Sequence, residues 1–129
     1  MDEHLYSVSE ANALLPYIRT LVASMLEARE AILSLQPELW SVIQVAVFNG
    51  GSKSASHVTR YILAIQDAIR KLQSLNIVVK DVNTGLLDFP AERDGQLIYL
   101  CWLYDEPSVQ FWHDVDSGFA GRQRIDETF

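Results

Sequence analysis

The run Leu97-Ile98-Tyr99-Leu100-Cys101-Trp102-Leu103-Tyr104 constrains the fold of this chain more than any other stretch. All eight residues are apolar or aromatic, types that fit a pleated strand. Successive side chains of a strand point to opposite faces, so Leu97, Tyr99, Cys101 and Leu103 share one face and Ile98, Leu100, Trp102 and Tyr104 the other. An antiparallel sheet with one solvated face alternates polar and apolar residues, and this strand does not. Both of its faces must therefore be covered. Helices are expected on one side, and the C-terminal tail or a second subunit on the other.

The helices come first in the chain. Ser7 followed by Glu10 has the spacing of a capping box, in which each side chain satisfies a free backbone N–H at a helix start. Leu14, Ile18, Leu21, Met25, Ala28, Ile32 and Leu35 then recur every three or four residues, the rhythm of a helix packed along one side. Leu15, Val22, Leu26 and Leu33 widen that stripe, as suits a globular bundle. Pro16 removes the hydrogen bond to Asn12 and predicts a kink. Pro37 stops this helix and can open a second from Glu38 to about Phe48, which Gly50 and Gly51 end. Val58, Tyr61, Ile62, Ile65, Ile69, Leu72 and Leu75 predict a third, from about Ser54 to Leu75, antiparallel to the first. The first helix, about 28 residues at 1.5 Å each, would span roughly 42 Å, against a diameter of about 36 Å for a compact domain of this size. Part of it should protrude or be covered by another chain.

After Asn76 the apolar period changes from 3.6 to 2. Ile77 to Lys80 and Leu86 to Phe89 flank Asn83, Thr84 and Gly85 and predict a hairpin. Asp94 and Gly95 mark the next turn, Gln96 to Tyr104 the longest strand, and Asp105 to Ser108 a turn into a last strand from Val109 to His113. The expected fold is a single α+β domain over residues 1–129. Two long antiparallel helices and a shorter one (7–75) pack on the second part (76–129), an antiparallel meander of three or four strands with the C-terminal tail.

With 129 residues, 49% hydrophobic and 21% charged, such a domain should bury roughly two-thirds of its unfolded surface without disulfide or metal. A formal net charge of −7 with ten scattered basic residues argues against a nucleic-acid partner. Met1 to Tyr6 is polar and acidic, unlike a signal peptide, and no apolar run approaches the roughly 20 residues that span a bilayer, so no membrane partner is expected. The single cysteine, Cys101, has no partner for an internal disulfide and lies in an apolar strand. A buried, inert thiol in a reducing cytoplasm is the expectation.

Chemistry-bearing residues crowd the last third, where Phe111, Trp112, His113, Asp114, Asp116, Gly118, Phe119, Gly121 and Arg122 follow one another closely. His113 and Asp116, with Asp114 or Asp88, would make a nitrogen and oxygen donor set suited to Zn, Mn or Fe(II). The commoner use of such residues is an imidazole bonded to a carboxylate that pins the tail to the sheet, and that is the reading taken, with no metal and no cofactor. Gly118, Gly121 and Arg122 could cradle an anion, but a turn with Phe119 filling an apolar gap and Arg122 paired to an acid is the simpler use. Lys53, His57 and Arg60 form a basic helix face of the kind that is usually just solvated. Asp88, Glu92, Asp94, Asp105 and Glu106 are turn and strand-edge carboxylates, and no serine, threonine or cysteine stands in a nucleophile motif.

Four stretches together resemble a known family. They are Tyr6-Ser7-Val8-Ser9-Glu10-Ala11-Asn12-Ala13-Leu14-Leu15-Pro16, Gly50-Gly51, Val79-Lys80-Asp81 to Gly85-Leu86-Leu87-Asp88-Phe89-Pro90-Ala91, and Leu100-Cys101-Trp102 through Phe111-Trp112-His113 to Gly118-Phe119-Ala120-Gly121-Arg122-Gln123. The family is domain of unknown function 2203, and the likeness spans nearly the whole chain. The resemblance implies a small cytoplasmic bacterial protein and carries no catalytic residue across. Leu103 departs from the pattern, in which an arginine is expected after the Cys-Trp pair.

The leading expectation is a cytoplasmic interaction or assembly module that acts as a homodimer through its long helices or the doubly apolar strand. The rival is a small enzyme or a ligand-binding or metal-binding protein with a site at the sheet end formed by Asp88, Glu106, His113, Asp116 and Arg122.

Overall fold

The computed structural model describes residues 4–49 and 58–129. Helix α1 spans Val8–Leu35, α2 Trp40–Asn49 and α3 Thr59–Ser74. Strands β1 (Val78–Asp81), β2 (Leu86–Arg93), β3 (Gln96–Leu103), β4 (Phe111–Asp114) and β5 (Gln123–Arg124) follow. They form one five-stranded sheet in chain order, each strand antiparallel to the next. The α+β class is as expected, with one strand more than the largest count. Lys53 and His57, and the expected helix start at Ser54, lie outside the described residues.

The capping box is present. The Ser7 hydroxyl accepts from the Glu10 backbone N–H at 3.0 Å, and the Glu10 carboxylate accepts from the Ser7 N–H. The helix runs through Pro16 as one element. At Gln36 the chain swings through 118° into a single tight turn, Pro37–Leu39, and then α2. Tyr6, just before α1, donates its hydroxyl to the Leu75 carbonyl just after α3, so the two helices run antiparallel.

One continuous core joins α1 (Leu15, Ile18, Val22, Met25, Ile32) and α3 (Ile62, Ile65, Leu72) to alternate residues of the sheet, among them Leu87, Phe89, Leu100 and Trp102. Cys101 is equally buried but belongs to the opposite face of the sheet, outside that core. The cover of β3 thus comes, at this point, from the chain itself. Arg19 of α1 lies over the Trp102 ring and donates to the carbonyls of Tyr104, Glu106 and Pro107, which ties the β3–β4 loop to the helix.

Strand β2 continues four residues past its expected end at Phe89, straight through Pro90. A proline normally breaks a ladder because it has no N–H to give. Here the Pro90 carbonyl accepts from the Tyr6 N–H at 2.7 Å, so its side of the strand faces away from β3. The missing N–H therefore falls beyond the end of β1 and costs the sheet no bond. Between β1 and β2, Gly85 has φ +72°, and a Cβ there would lie 2.8 Å from Val22 Cγ1 and 2.9 Å from Tyr104 Cβ. Both the left-handed backbone and the contact with α1 demand glycine.

Candidate functional site

Asp88, Cys101 and His113 meet on the outer face of the sheet. Asp88 pairs with Cys101 across β2 and β3, and His113 pairs with Tyr99 across β3 and β4. The side-chain period of two turns Asp88, Tyr99, Cys101 and His113 to the same side, away from the helices. Asp88 is 1% exposed and His113 3%, and among the described residues they are the two buried polar or charged side chains.

The imidazole Nε2 lies 3.0 and 3.1 Å from the two carboxylate oxygens of Asp88, and Nδ1 lies 2.8 Å from the Asp114 backbone carbonyl. Lys80 Nζ stands 3.9 Å from Asp88, at the exposed rim of this pair. Cys101 Sγ joins them: a nitrogen, a sulfur and an oxygen from the three residues all lie within 4.8 Å of one another. Burial, reinforced by the Asp88 charge, pushes the Cys101 thiol up to about 12. In the metal-free chain it is a thiol, as the sequence suggests.

A second polar group lies beside the first. Arg122 Nη2 donates to both oxygens of Glu106, at 2.7 and 2.6 Å, and the guanidinium lies over the rings of Phe111 (3.9 Å) and Phe119 (4.7 Å). Glu106 in turn accepts from the backbone N–H of Leu103 at 2.8 Å. Arg122 is thus paired to an acid, and Phe119, half exposed, lies against the guanidinium rather than in an apolar gap. Gly121 is needed for packing, since a Cβ there would meet Ser117 Cβ at 2.5 Å.

The structure brings together four of the five residues singled out in the sequence, as the pairs Asp88–His113 and Glu106–Arg122. Asp116 does not join them. It is exposed in the turn after β4, and the imidazole's acid is Asp88, 25 residues away in sequence. Cys101, read from sequence as an inert thiol, completes the buried cluster; the two-residue turn Asp94–Gly95, whose register sets Asp88 opposite Cys101, is the signal that could have found it. Arg60 stacks on Tyr61 and donates to its hydroxyl.

The other notable surface is α2, which carries no charged residue. Trp40, Ile43 and Val47 are buried beneath it, while Val42, Val45 and Phe48 face outward at 67%, 61% and 44% exposure. Val45 and Phe48 also line a shallow groove shared with Lys80 and Val82. Asn83 of the β1–β2 turn anchors the helix: its Oδ1 accepts from Trp40 Nε1 and Arg29 Nε, both at 2.9 Å, and its Nδ2 donates to Gln44 at 3.1 Å. Sequence reasoning treated Asn83 only as a turn former. Among the described residues no single helix is long and apolar enough to cross a membrane.

Comparison with curated proteins and with solved structures returns no match. A family model does match, over residues 4–125, and so takes in α1 to β5 and both polar pairs. The chain therefore belongs to the family described as uncharacterized conserved protein, DUF2203.

Proposed function

We propose that this protein is a cytoplasmic assembly module that works as a homodimer, with the outward face of α2 as its contact surface. The observation that carries this reading is the row Val42, Val45 and Phe48, exposed on a helix without a single charge. A solvated helix ordinarily turns charged and polar residues outward, and a contiguous apolar face marks an interaction surface. The occupant argued for is a second copy. A chain with a net charge of −7 repels its own copies where its acids lie, and a neutral helix offers a place where two copies can meet without that cost. A two-fold contact of this kind is self-complementary, α2 against α2. The same negative charge supports the absence of a nucleic-acid partner.

Light scattering on the purified chain at micromolar concentration tests the reading. The expected mass is twice that of the chain, and Val45→Glu, which places a carboxylate in the middle of the row, should give the single-chain mass with an unchanged circular dichroism spectrum. A monomer mass for the unaltered protein, or a dimer indifferent to Val45→Glu, would overturn it.

A further inference from the structure

We propose that Asp88, Cys101 and His113 bind a divalent cation of the zinc class, with His113 Nε2, Cys101 Sγ and an Asp88 oxygen as ligands. The inference is independent of how the chain assembles, and it sets a metal where the sequence suggested only a structural pair.

The imidazole supplies the first argument. A backbone carbonyl only accepts hydrogen bonds, so the nitrogen 2.8 Å from the Asp114 oxygen, Nδ1, carries a proton. In a neutral ring Nε2 is then bare, and its lone pair points at the two oxygens of Asp88. Two electron-rich groups facing each other at 3.0 Å, out of water, need a positive centre between them: a proton or a metal ion. A carbonyl that holds Nδ1–H and presents Nε2 is the usual support of a metal-bound histidine.

Cys101 decides between the two. A shared proton engages Asp88 and His113 and leaves the thiol only a hydrogen bond to Asp88, whereas a metal takes all three as ligands, and their donor atoms lie within 4.8 Å of one another. On binding, a sulfur–metal bond forms as the Sγ–H bond breaks, and the thiol proton, with any proton shared by Asp88 and His113, passes to solvent. A doubly charged cation with one carboxylate, one thiolate and one neutral imidazole makes a neutral ligand set, which burial tolerates, while Lys80 keeps its charge at the exposed rim. Mixed nitrogen, oxygen and sulfur donors favour Zn²⁺ over Mg²⁺ or Ca²⁺. Three protein ligands leave a fourth tetrahedral position for water or another ligand.

Cobalt(II) serves as a coloured substitute for zinc. Metal-stripped full-length chain titrated with Co²⁺ should saturate at one equivalent and develop a near-ultraviolet thiolate-to-cobalt band that Zn²⁺ then removes. Because Cys101 is the single cysteine, that band identifies the sulfur without any substitution. Zn²⁺ should raise the melting temperature by several degrees through mass action, and Asp88→Asn and His113→Gln should each weaken binding by about tenfold or more. His4→Ala, which removes an exposed imidazole at Glu10, should leave the titration unchanged. Absence of the thiolate band at saturating Co²⁺ would overturn the proposal. So would a zinc-induced shift that persists undiminished in both Asp88→Asn and His113→Gln.

Discussion

On its inner face the sheet offers Leu87, Phe89, Leu100 and Trp102 to α1 and α3; on its outer face the residues between them, Asp88 and Cys101, meet His113 and the segment that carries Arg122. The two faces come from alternate residues of the same strands, yet different forces hold them. The inner face gains from area removed from water, with a fully buried Phe or Leu contributing about 1.5–3 kcal/mol, and one apolar group can stand in for another. The outer face gains little from area. Its polar groups are out of water only because each has found its partner, and losing one partner strands the other. One face thus tolerates change in kind so long as volume is kept, and the other is lost pairwise, each polar group depending on its partner.

The inner face should show the largest single loss. Trp102→Ala is expected to cost about 3–5 kcal/mol, read as a drop in the urea midpoint, because a fully buried indole leaves a cavity the sheet cannot close. An unchanged midpoint would break the comparison at its stronger side.

On the outer face, His113→Ala should cost about 1–3 kcal/mol by taking the close partner from the buried Asp88 carboxylate and leaving it the Lys80 ammonium at 3.9 Å. The sharper measurement is the double variant Asp88→Ala with His113→Ala, which should cost clearly less than the sum of the two single changes, since removing both groups leaves nothing stranded. Strict additivity would mean that the pair acts as bulk.

Gly85→Ala probes the β1–β2 turn where it packs against α1. It should cost about 1–3 kcal/mol from the left-handed backbone, with the contacts to Val22 and Tyr104 adding to that strain. The Val22→Ala background should recover part of the loss.

The smallest effect is one of pH. In metal-stripped protein the Cys101 thiol, held up to about 12 mainly by burial, stays protonated in the fold while the unfolded chain ionises near the ordinary 9.0. The unfolded state then binds fewer protons, so this contribution is complete below pH 9 and disappears as pH rises through about 12. Tyr6, raised by burial and then by Glu10, acts with the same sign at high pH. Urea midpoints taken from pH 8 to 11 should fall in the parent chain and fall less steeply in Cys101→Ser.

Much of this fold was legible because its cues are local. The Ser7–Glu10 box, the three-and-four spacing of α1 and α3, and the Asp94–Gly95 turn, where both residues have positive φ, depend on neighbours a few residues away. What escaped depends on distant chain. Pro90 reads as the end of a strand until Tyr6 arrives on its open side, and β5 is two residues long, too short for any periodicity. The same holds at the site. Proximity in sequence pairs His113 with Asp116, while strand register pairs it with Asp88. A carboxylate set between Leu87 and Phe89 in an apolar strand was the available clue, for a buried acid needs a partner that the sequence alone cannot locate.

The order of the strands bears on how this chain reaches its native state. Each strand pairs only with the one next to it in sequence, so the sheet can assemble by closing short loops, hairpin after hairpin, each with a small loss of chain entropy. The hydrogen bonds that span the most chain gather at the N-terminal end: Tyr6 with Leu75 and Pro90, Asn12 with Val109, and Arg19 with the β3–β4 loop. Contacts that span so much chain slow folding when they must form early. In this topology they can form late, with α1 closing over a meander already zipped, and substitutions at Tyr6 or Arg19 should then speed unfolding while leaving the refolding rate nearly untouched.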